Sequence, residues 1–389
     1  MPHFKLDYKW RTLIAAQLGW MLDGMDVMLY AFALPQIRAE FGLSAGTAGA
    51  LASVTLLTSA AGGIWFGMLA DRIGRARSLA LSILFYSVFT ALTATANNLA
   101  VLVLWRALVG VGLGGEWSAG SVLVAESWPA EHRGKAIGFM QAGWAIGYIL
   151  AALLAAAILP HYGWRPLFVI GVAPALLAFW IRLAVPEPPS FTPRRHAPIR
   201  AVLSRTLGLA VMLTTAVQFA YWGLFTWIPT YLSSPVALGG AGLSMFKSSA
   251  WIVPMQTGAF FGYLSFGFFA DRWGRRPVFI VFVLAAAVLV PLFGSGMLWL
   301  GPLLGFFGHG YFSVFGALLA ELFPSAIRAT AQGLSYNLGR AAGALAPFTI
   351  GAIAGHFGIG AALGLTSVFF TIAAGLILLL PETRGGELT

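Results

Sequence analysis

The sequence predicts an all-α membrane protein of twelve transmembrane helices arranged as two related six-helix bundles. Three observations predict it. Of 389 residues, 59% are hydrophobic and only 9% charged, whereas a soluble domain carries roughly 25% charged residues. The apolar residues fall into twelve runs of spanning length. Loop motifs of the first half return in the second half in the same order.

A spanning helix needs about 20 mostly apolar residues. Runs bounded by charge, Pro or Gly clusters lie at approximately 11–35, 46–70, 78–96, 99–126, 136–158, 165–185, 206–232, 247–270, 277–294, 297–321, 331–355 and 361–380. The connections are short, so consecutive spans are antiparallel neighbours. The long polar break from Pro186 to Arg205 holds Pro188, Pro189, Pro193, Arg194, Arg195 and His196. It divides the chain into a bundle at 1–186, a linker at 187–205 and a bundle at 206–389. The first eleven residues are polar and the run after them is too long for a signal h-region, so no cleaved leader is expected.

Lys and Arg set the orientation. With both termini cytoplasmic, all 23 basic residues except Arg38, Arg165, Lys247, Arg106 and Arg340 fall on the cytoplasmic side. A plasma (inner) membrane protein with cytoplasmic termini is therefore expected. The net charge of +10 does not indicate nucleic acid, because the bases sit in short breaks between apolar runs. There is no Cys, which removes disulfides, thiolate metal sites and cysteine nucleophiles. No His pair has metal-ligand spacing, so neither metal nor cofactor is expected. No nucleotide loop, Ser/His/Asp site or soluble domain is present, which argues against an enzyme. The expected partners are the lipid bilayer, protons and a small anionic solute, and the expected working unit is a monomer.

The internal repeat is explicit. Gly67-Met-Leu-Ala-Asp71-Arg72-Ile-Gly74-Arg75 returns as Gly267-Phe-Phe-Ala-Asp271-Arg272-Trp-Gly274-Arg275, offset by 200. Glu126-Ser-Trp-Pro129, followed by Arg133 and Gly138, returns as Glu321-Leu-Phe-Pro324 with Arg328 and Gly333, offset by 195. Pro186-Glu187 matches Pro381-Glu382 by the same 195. A parallel repeat around a central path is a transporter design. Asp71, Arg72, Arg75, Glu126, Arg133 and their counterparts Asp271, Arg272, Arg275, Glu321 and Arg328 are candidate gating residues. Acids and bases at helix ends can pair or cap a neighbouring helix N-terminus, latching one conformation. The alternative is that they only shape the loops.

Gly67–Arg77 and its repeat resemble the cytoplasmic loop signature of the major facilitator superfamily. Arg106-(3)-Gly110-(1)-Gly112-(1)-Gly114-Gly115 resembles its fourth-helix signature. Within that superfamily, Leu22-Asp23-Gly24-Met25-Asp26 and Gly114-Gly115-Glu116-Trp117 with Val124–Pro129 resemble the sialate/monocarboxylate:proton symporter group. The Asp-Gly-x-Asp element is also similar to aromatic-acid:proton symporters. One departure is that sialate carriers of this type can hold two extra spans between the halves, which this chain lacks. The resemblance implies a carboxylate:proton symporter. It also implies a coupling pair at positions similar to Asp26 and Arg106.

An ionisable group at mid-bilayer costs several kcal/mol and is a functional candidate by default. The candidates are Asp23, Asp26, Arg106, Glu116, His309 and Arg340. Asp23 and Asp26 share a helix face at i and i+3. Asp26 lies 15 residues past Arg11, about 22 Å up its helix, and Arg106 lies 7 residues past Leu99, about 10 Å down an antiparallel one. They therefore reach similar depth. Either they open during transport and Asp26 takes a proton, or they form a permanent salt bridge. Glu116 follows the Gly110, Gly112, Gly114 run, which permits close helix approach and is expected to leave its carboxyl room near the central path, making it a candidate proton site with Asp26 and Asp23; the alternative is a Glu satisfied by a neighbouring helix. Arg340 has no acid at its depth in its own half, and Arg binds carboxylates bidentately, so it is the candidate substrate anchor with Asn337 on its face. The alternative is pairing with Glu116 or another first-half acid. His309 is a candidate substrate-binding residue at mid-depth, and otherwise either a packing residue or a proton relay.

Trp117, Gln141, Trp144, Gln218, Tyr221, Gln256 and Tyr336 are candidates to line the path, since amides are costly against lipid. The leading function is proton-coupled symport of a small organic carboxylate: lactate-like, sialate or aromatic. The alternative is a carrier or exporter of a neutral solute such as a sugar or drug. Trp10, Trp164 and Trp299 are expected interfacial anchors.

Overall fold

The computed structural model describes residues 7–128, 130–187, 204–323 and 328–383, and every regular element in them is helical. The first half comprises α1 (Tyr8–Phe41), α2 (Ala45–Ile73), α3 (Arg75–Thr93), α4 (Leu99–Ser127), α5 (Ala130–Tyr162), α6 (Trp164–Ile170) and α7 (Pro174–Ala184). The second comprises α8 (Arg205–Phe225), α9 (Ile228–Ser233), α10 (Met245–Trp273), α11 (Arg275–Gly294), α12 (Gly301–Gly310) and α13 (Ser313–Leu322). It ends with α14 (Arg328–Gly343), α15 (Ala346–Phe357), α16 (Ile359–Leu363) and α17 (Leu365–Ile377). All twelve expected spans are present. Five of them are each built from two helices: α6–α7, α8–α9, α12–α13, α14–α15 and α16–α17.

Most of these breaks have a local cause. Pro174, Pro229 and Pro347 sit in the first turn of α7, α9 and α15, where a missing N–H starts a helix without loss but cannot continue one. Among the described residues, nine spans are long and apolar enough on composition alone to cross a membrane. The first, eighth and tenth are not among them. They carry Asp23 and Asp26, Lys247 and Gln256, and His309 on two short helices. Helices also overrun the apolar runs: α1 continues through Pro35 to Phe41, and α5 spans Ala130–Tyr162. Helix hydrogen bonds are local, so the backbone continues where the lipid-facing stripe has already ended.

The repeat extends to backbone detail. Ser44 and Ser244 cap α2 and α10 identically, each side chain accepting from the N–H three residues on. Gly74 and Gly274 both take positive φ, 110° and 103°, at the turn from α2 to α3 and from α10 to α11. That turn is open only to glycine without strain. Beyond it, Glu187 accepts from the N–H groups of Ala76 and Arg77 (3.2 and 3.0 Å) at the start of α3. Glu382 accepts from Arg275 and Arg276 (2.8 and 2.9 Å) at the start of α11. The register slips by one residue because Pro277 has no N–H to offer.

Each bundle is held by close helix crossings. Gly110 and Gly114 of α4 lie against Thr55 and Ser59 of α2, Gly112 against Tyr86 of α3, and Gly115 against the Phe66 ring. This corrects the expectation that the glycine run opens space for Glu116. It lets α2 and α4 touch instead. Between halves, α5 packs on α10, and α2 packs on α14 and α15. Trp164 is buried and donates to Glu40 (2.7 Å), so it is a packed residue; Trp10 and Trp299 are exposed as anchors require.

Candidate functional site

α1 and α14 start, and α2 and α4 end, on the face where the chain begins, here the termini face. About midway from it lies a small cavity of about 20 Å³ between the halves. Val27, Tyr30 and Ala31 of α1, Thr55 and Ser59 of α2, and Arg106 and Leu113 of α4 line one side. Trp222 and Thr226 with Arg340 of α14 line the other. The halves meet on both sides of it. Towards the opposite face, the Phe348 N–H donates to Ser53 Oγ (3.2 Å), and Gly49 lies against the Pro347 carbonyl. Towards the termini face, Trp117 stacks on Tyr336 with centroids 3.8 Å apart and planes at 12°.

Two buried guanidiniums face this space. Arg106 is 1% exposed and Arg340 3%. Arg106 Cζ lies 4.8 Å from the Tyr30 ring centroid, and Tyr30 donates to the Ala48 carbonyl (3.1 Å). Arg340 Cζ lies 5.8 Å from the ring of Tyr336, one turn earlier on its helix. Arg106 Nε and Nη1 and Arg340 Nε have no hydrogen-bond partner.

Three buried acids act on these cations without touching them. Asp26 and Arg106 act on each other electrostatically, and Arg340 acts on both Asp23 and Glu116. None of the carboxyl oxygens of Asp23, Asp26 and Glu116 has a hydrogen-bond partner. The ion pairs within 4 Å among the described residues lie elsewhere, at Lys9–Asp7, Arg165–Glu40 and Arg275–Glu321. Asp26 and Arg106 therefore lie near each other, as depth arithmetic expects, but form no direct salt bridge. Glu116 faces α1, where a methyl on Gly19 would come within 2.5 Å of its Oε1. Gly19 is one turn before Asp23, so these two carboxyls follow each other along one face.

The other candidates divide into two groups. Trp117, Tyr336 and Asn337 form a floor beneath the cavity rather than its wall. Asn337 donates to the Gly333 carbonyl (3.0 Å), and its Oδ1 packs on Gly63 of the first half. Trp144, Gln218, Tyr221, Gln256 and His309 form an adjoining buried cluster. Trp144 packs on Trp20 (4.8 Å), Trp222 (5.8 Å) and Tyr221 (6.4 Å). Gln218 Oε1 accepts from Trp222 Nε1 (2.8 Å). His309 Nδ1 faces its own Gly305 carbonyl (3.2 Å), its Nε2 lies 3.5 Å from Gln256 Nε2, and Tyr221 packs edge-on (5.2 Å). His309 is thus bound into packing. Gln141 is buried, with its Oε1 unpartnered. Sequence reasoning missed Tyr30, Thr55, Ser59 and Thr226. Tyr30 follows the candidate Asp26 by one turn and Thr226 follows the candidate Gln218 by two, which is the signal that places them.

Of the gating candidates, Arg275 pairs with Glu321 (3.3 Å), which also accepts from Thr383 Oγ1 (2.5 Å). Arg75 donates to the Ala70 carbonyl (3.0 Å), while Arg72 and Arg272 are exposed. The side chains of Asp71, Glu126, Arg133, Asp271 and Arg328 lie outside the described residues. Glu187 and Glu382 are the helix-capping acids that the sequence showed only as a repeated Pro-Glu pair.

Comparison with known proteins fits this geometry. A family model described as Major Facilitator Superfamily matches residues 18–265 and 239–388. The cis,cis-muconate transport protein of Acinetobacter baylyi is 34% identical, over 91% of this chain and 90% of that one. The sialic acid transporter of Escherichia coli is 31% identical, over 93% and 91%. A crystal structure of a D-xylose-proton symporter superposes with a TM-score of 0.76 at 21% identity, covering 98% of this chain and 100% of the other.

Proposed function

The chain belongs to the Major Facilitator Superfamily, and from that premise we propose that it is a proton-coupled symporter of a small organic carboxylate. Access to the cavity alternates as the halves, 1–186 and 206–389 joined by the 187–205 linker, rock against each other. The observation that carries this reading is Arg340: a buried guanidinium on the wall between the halves, with Nε unpartnered. A guanidinium presents a planar fork that matches a carboxylate. Relatives named for muconate and for sialic acid, both carboxylates, support the substrate class.

Arg340 anchors the carboxylate. Arg106 and Asp26 form the coupling unit, with Asp23 and Glu116 as further proton holders under the field of Arg340. Two guanidiniums line the cavity, and three buried carboxyls lie in their field. Adding an anion there unbalances its charge unless protons enter with it. The excess of Lys and Arg on the termini face supports cytoplasmic termini in the plasma (inner) membrane. The Arg275–Glu321 pair, with Glu187 and Glu382, belongs to the gating belt on that face.

The test is uptake of a carboxylate panel into proteoliposomes, with and without an imposed pH gradient. Arg340→Ala should abolish uptake while the protein still folds, and near-normal uptake would sink its substrate role. Asp26→Asn should remove gradient-driven accumulation. If accumulation persists, Asp26 is not the coupling acid.

A further inference from the structure

We propose that the cavity between the halves is a two-ended anion site, selective for dicarboxylates, in which Arg340 holds one carboxylate and Arg106 the other. The proposal rests on the carboxylate reading above and names the substrate class of that site. Both guanidiniums line the same cavity, but from opposite halves. It is small in this conformation, about 20 Å³ or room for about one water, so the halves must part to admit a ligand. Both are buried, and both present nitrogens with no protein partner: Nε and Nη1 of Arg106 and Nε of Arg340. A monocarboxylate held by Arg340 leaves Arg106 with the Tyr30 ring and the field of Asp26 but no hydrogen-bonded anion. A dianion engages both.

The rest of the lining suits a hydrocarbon spacer. Val27, Ala31, Leu56 and Leu113 supply apolar surface, and Trp222 a flat face. The hydroxyl hydrogens of Thr55 and Ser59 are already donated to their own helix, to the Leu51 and Leu56 carbonyls (3.2 and 2.7 Å). These groups do not offer the donors that a hydroxyl-rich skeleton would use. The second carboxylate competes with Asp26 for Arg106. When it wins, Asp26 loses its counter-charge, and the proton that restores balance comes from solution to the Asp26 carboxylate. An anion spanning both forks also ties the first half to the second, so a filled site draws the halves together.

The experiment compares two probes that differ by one carboxylate: trans,trans-hexa-2,4-dienedioate and trans,trans-hexa-2,4-dienoate. Binding of each to the purified full chain is measured by calorimetry at pH 7, where both are ionised. The expected result is dienedioate binding roughly 10- to 100-fold tighter, the scale of one added charge-assisted contact. Arg106→Gln should collapse that ratio towards one, and Arg106→Lys, which keeps the charge but loses the fork, should shrink it. Should Arg106→Gln fail to fold, the wild-type ratio and the Lys variant decide. Equal affinities in the wild type, or tighter dienoate binding, overturn the two-ended site and leave carboxylate transport standing. A ratio unchanged in the Arg106 variants overturns the role of Arg106. Binding of neither probe overturns the proposal together with the carboxylate reading.

Discussion

The indole of Trp117 lies flat on the ring of Tyr336, centroids 3.8 Å apart and planes 12° off parallel. Trp117 belongs to α4 and Tyr336 to α14, so the stack joins the two halves. Arg106 and Leu113 line the cavity, and Trp117 is further along α4 towards the termini face. Tyr336 precedes Arg340 by one turn on the same side. The pair therefore closes the cavity from the termini face and must part for that side to open. An aromatic pair is worth about 0.5–1.5 kcal/mol beyond its burial. Trp117→Ala should then favour the open side by roughly 2- to 10-fold. The chain has no Cys, so Ser59→Cys on the cavity wall gives a single reporter. Its labelling from the termini face by an impermeant maleimide should quicken by that factor in Trp117→Ala. An unchanged rate would remove the stack from the gate.

The α2–α4 crossing makes a paired prediction. A methyl on Gly114 would overlap the Ser59 carbonyl oxygen, and one on Gly62 would overlap that of Val111. Both are backbone atoms that cannot swing aside, so Gly62→Ala or Gly114→Ala must push the helices apart, at about 1–3 kcal/mol or more. Gly67, also in α2, has nothing within 4 Å of the same position. Gly67→Ala should be neutral or stabilising by up to about 1 kcal/mol, through helix propensity alone. Thermal unfolding in detergent separates the cases. Equal melting temperatures across the three variants would mean that α2 and α4 are not held in this contact.

Glu187 and Glu382 each hold two backbone N–H groups at a helix start, 110 and 106 residues or more away in sequence. A charged cap at such a position contributes about 1 kcal/mol, from the hydrogen bond and the helix dipole together. Glu187→Gln and Glu382→Gln should each lower stability by that order. Their effects should add in the double variant, because the two caps lie in different halves and share no partner. Strong non-additivity in the melting data would mean that the caps communicate through the motion of the halves.

What was legible in the sequence follows from local rules. Apolar runs placed all twelve spans, because lipid exposure is written into composition over about 20 residues. Rise per residue placed Asp26 near Arg106. What was not legible needs the azimuth of each helix. The glycine run of α4 turned out to face α2 and α3, and no periodicity in α4 alone says which neighbour occupies which side. Arg340 was known to lack an acid in its own half, but only the assembled halves bring Asp23 and Glu116 into its field. Asn337 shares a helix with Arg340, yet its amide is used against Gly63 and Gly333 and does not reach the cavity wall. The roles of Glu187 and Glu382 were hidden because their partners are backbone N–H groups, which leave no trace in residue type.

On the face opposite the termini, Glu40 binds Arg165 through both oxygens (2.9 and 2.6 Å) and accepts from Trp164 Nε1 (2.7 Å). Arg165 also donates to the Ala96 carbonyl (3.0 Å) and lies over the Trp164 ring (4.4 Å). One carboxylate thus ties the ends of α1, α3 and α6 together. The Arg165 hydrogen bonds, outweighing burial, hold the Glu40 carboxyl below the ordinary range. A free Glu titrates near about 4.3. A folded-state pKa below that contributes stability that is fully present above about pH 4.3 and is lost as pH falls through the folded value. Both side chains are about two-fifths exposed, at 41% and 39%, so the contribution is at most about 1 kcal/mol. Glu40→Gln should therefore melt slightly lower than the wild type at pH 7, and the two should converge in acid. A difference of the same size at both ends of the pH range would assign the effect to hydrogen-bond geometry and not to charge.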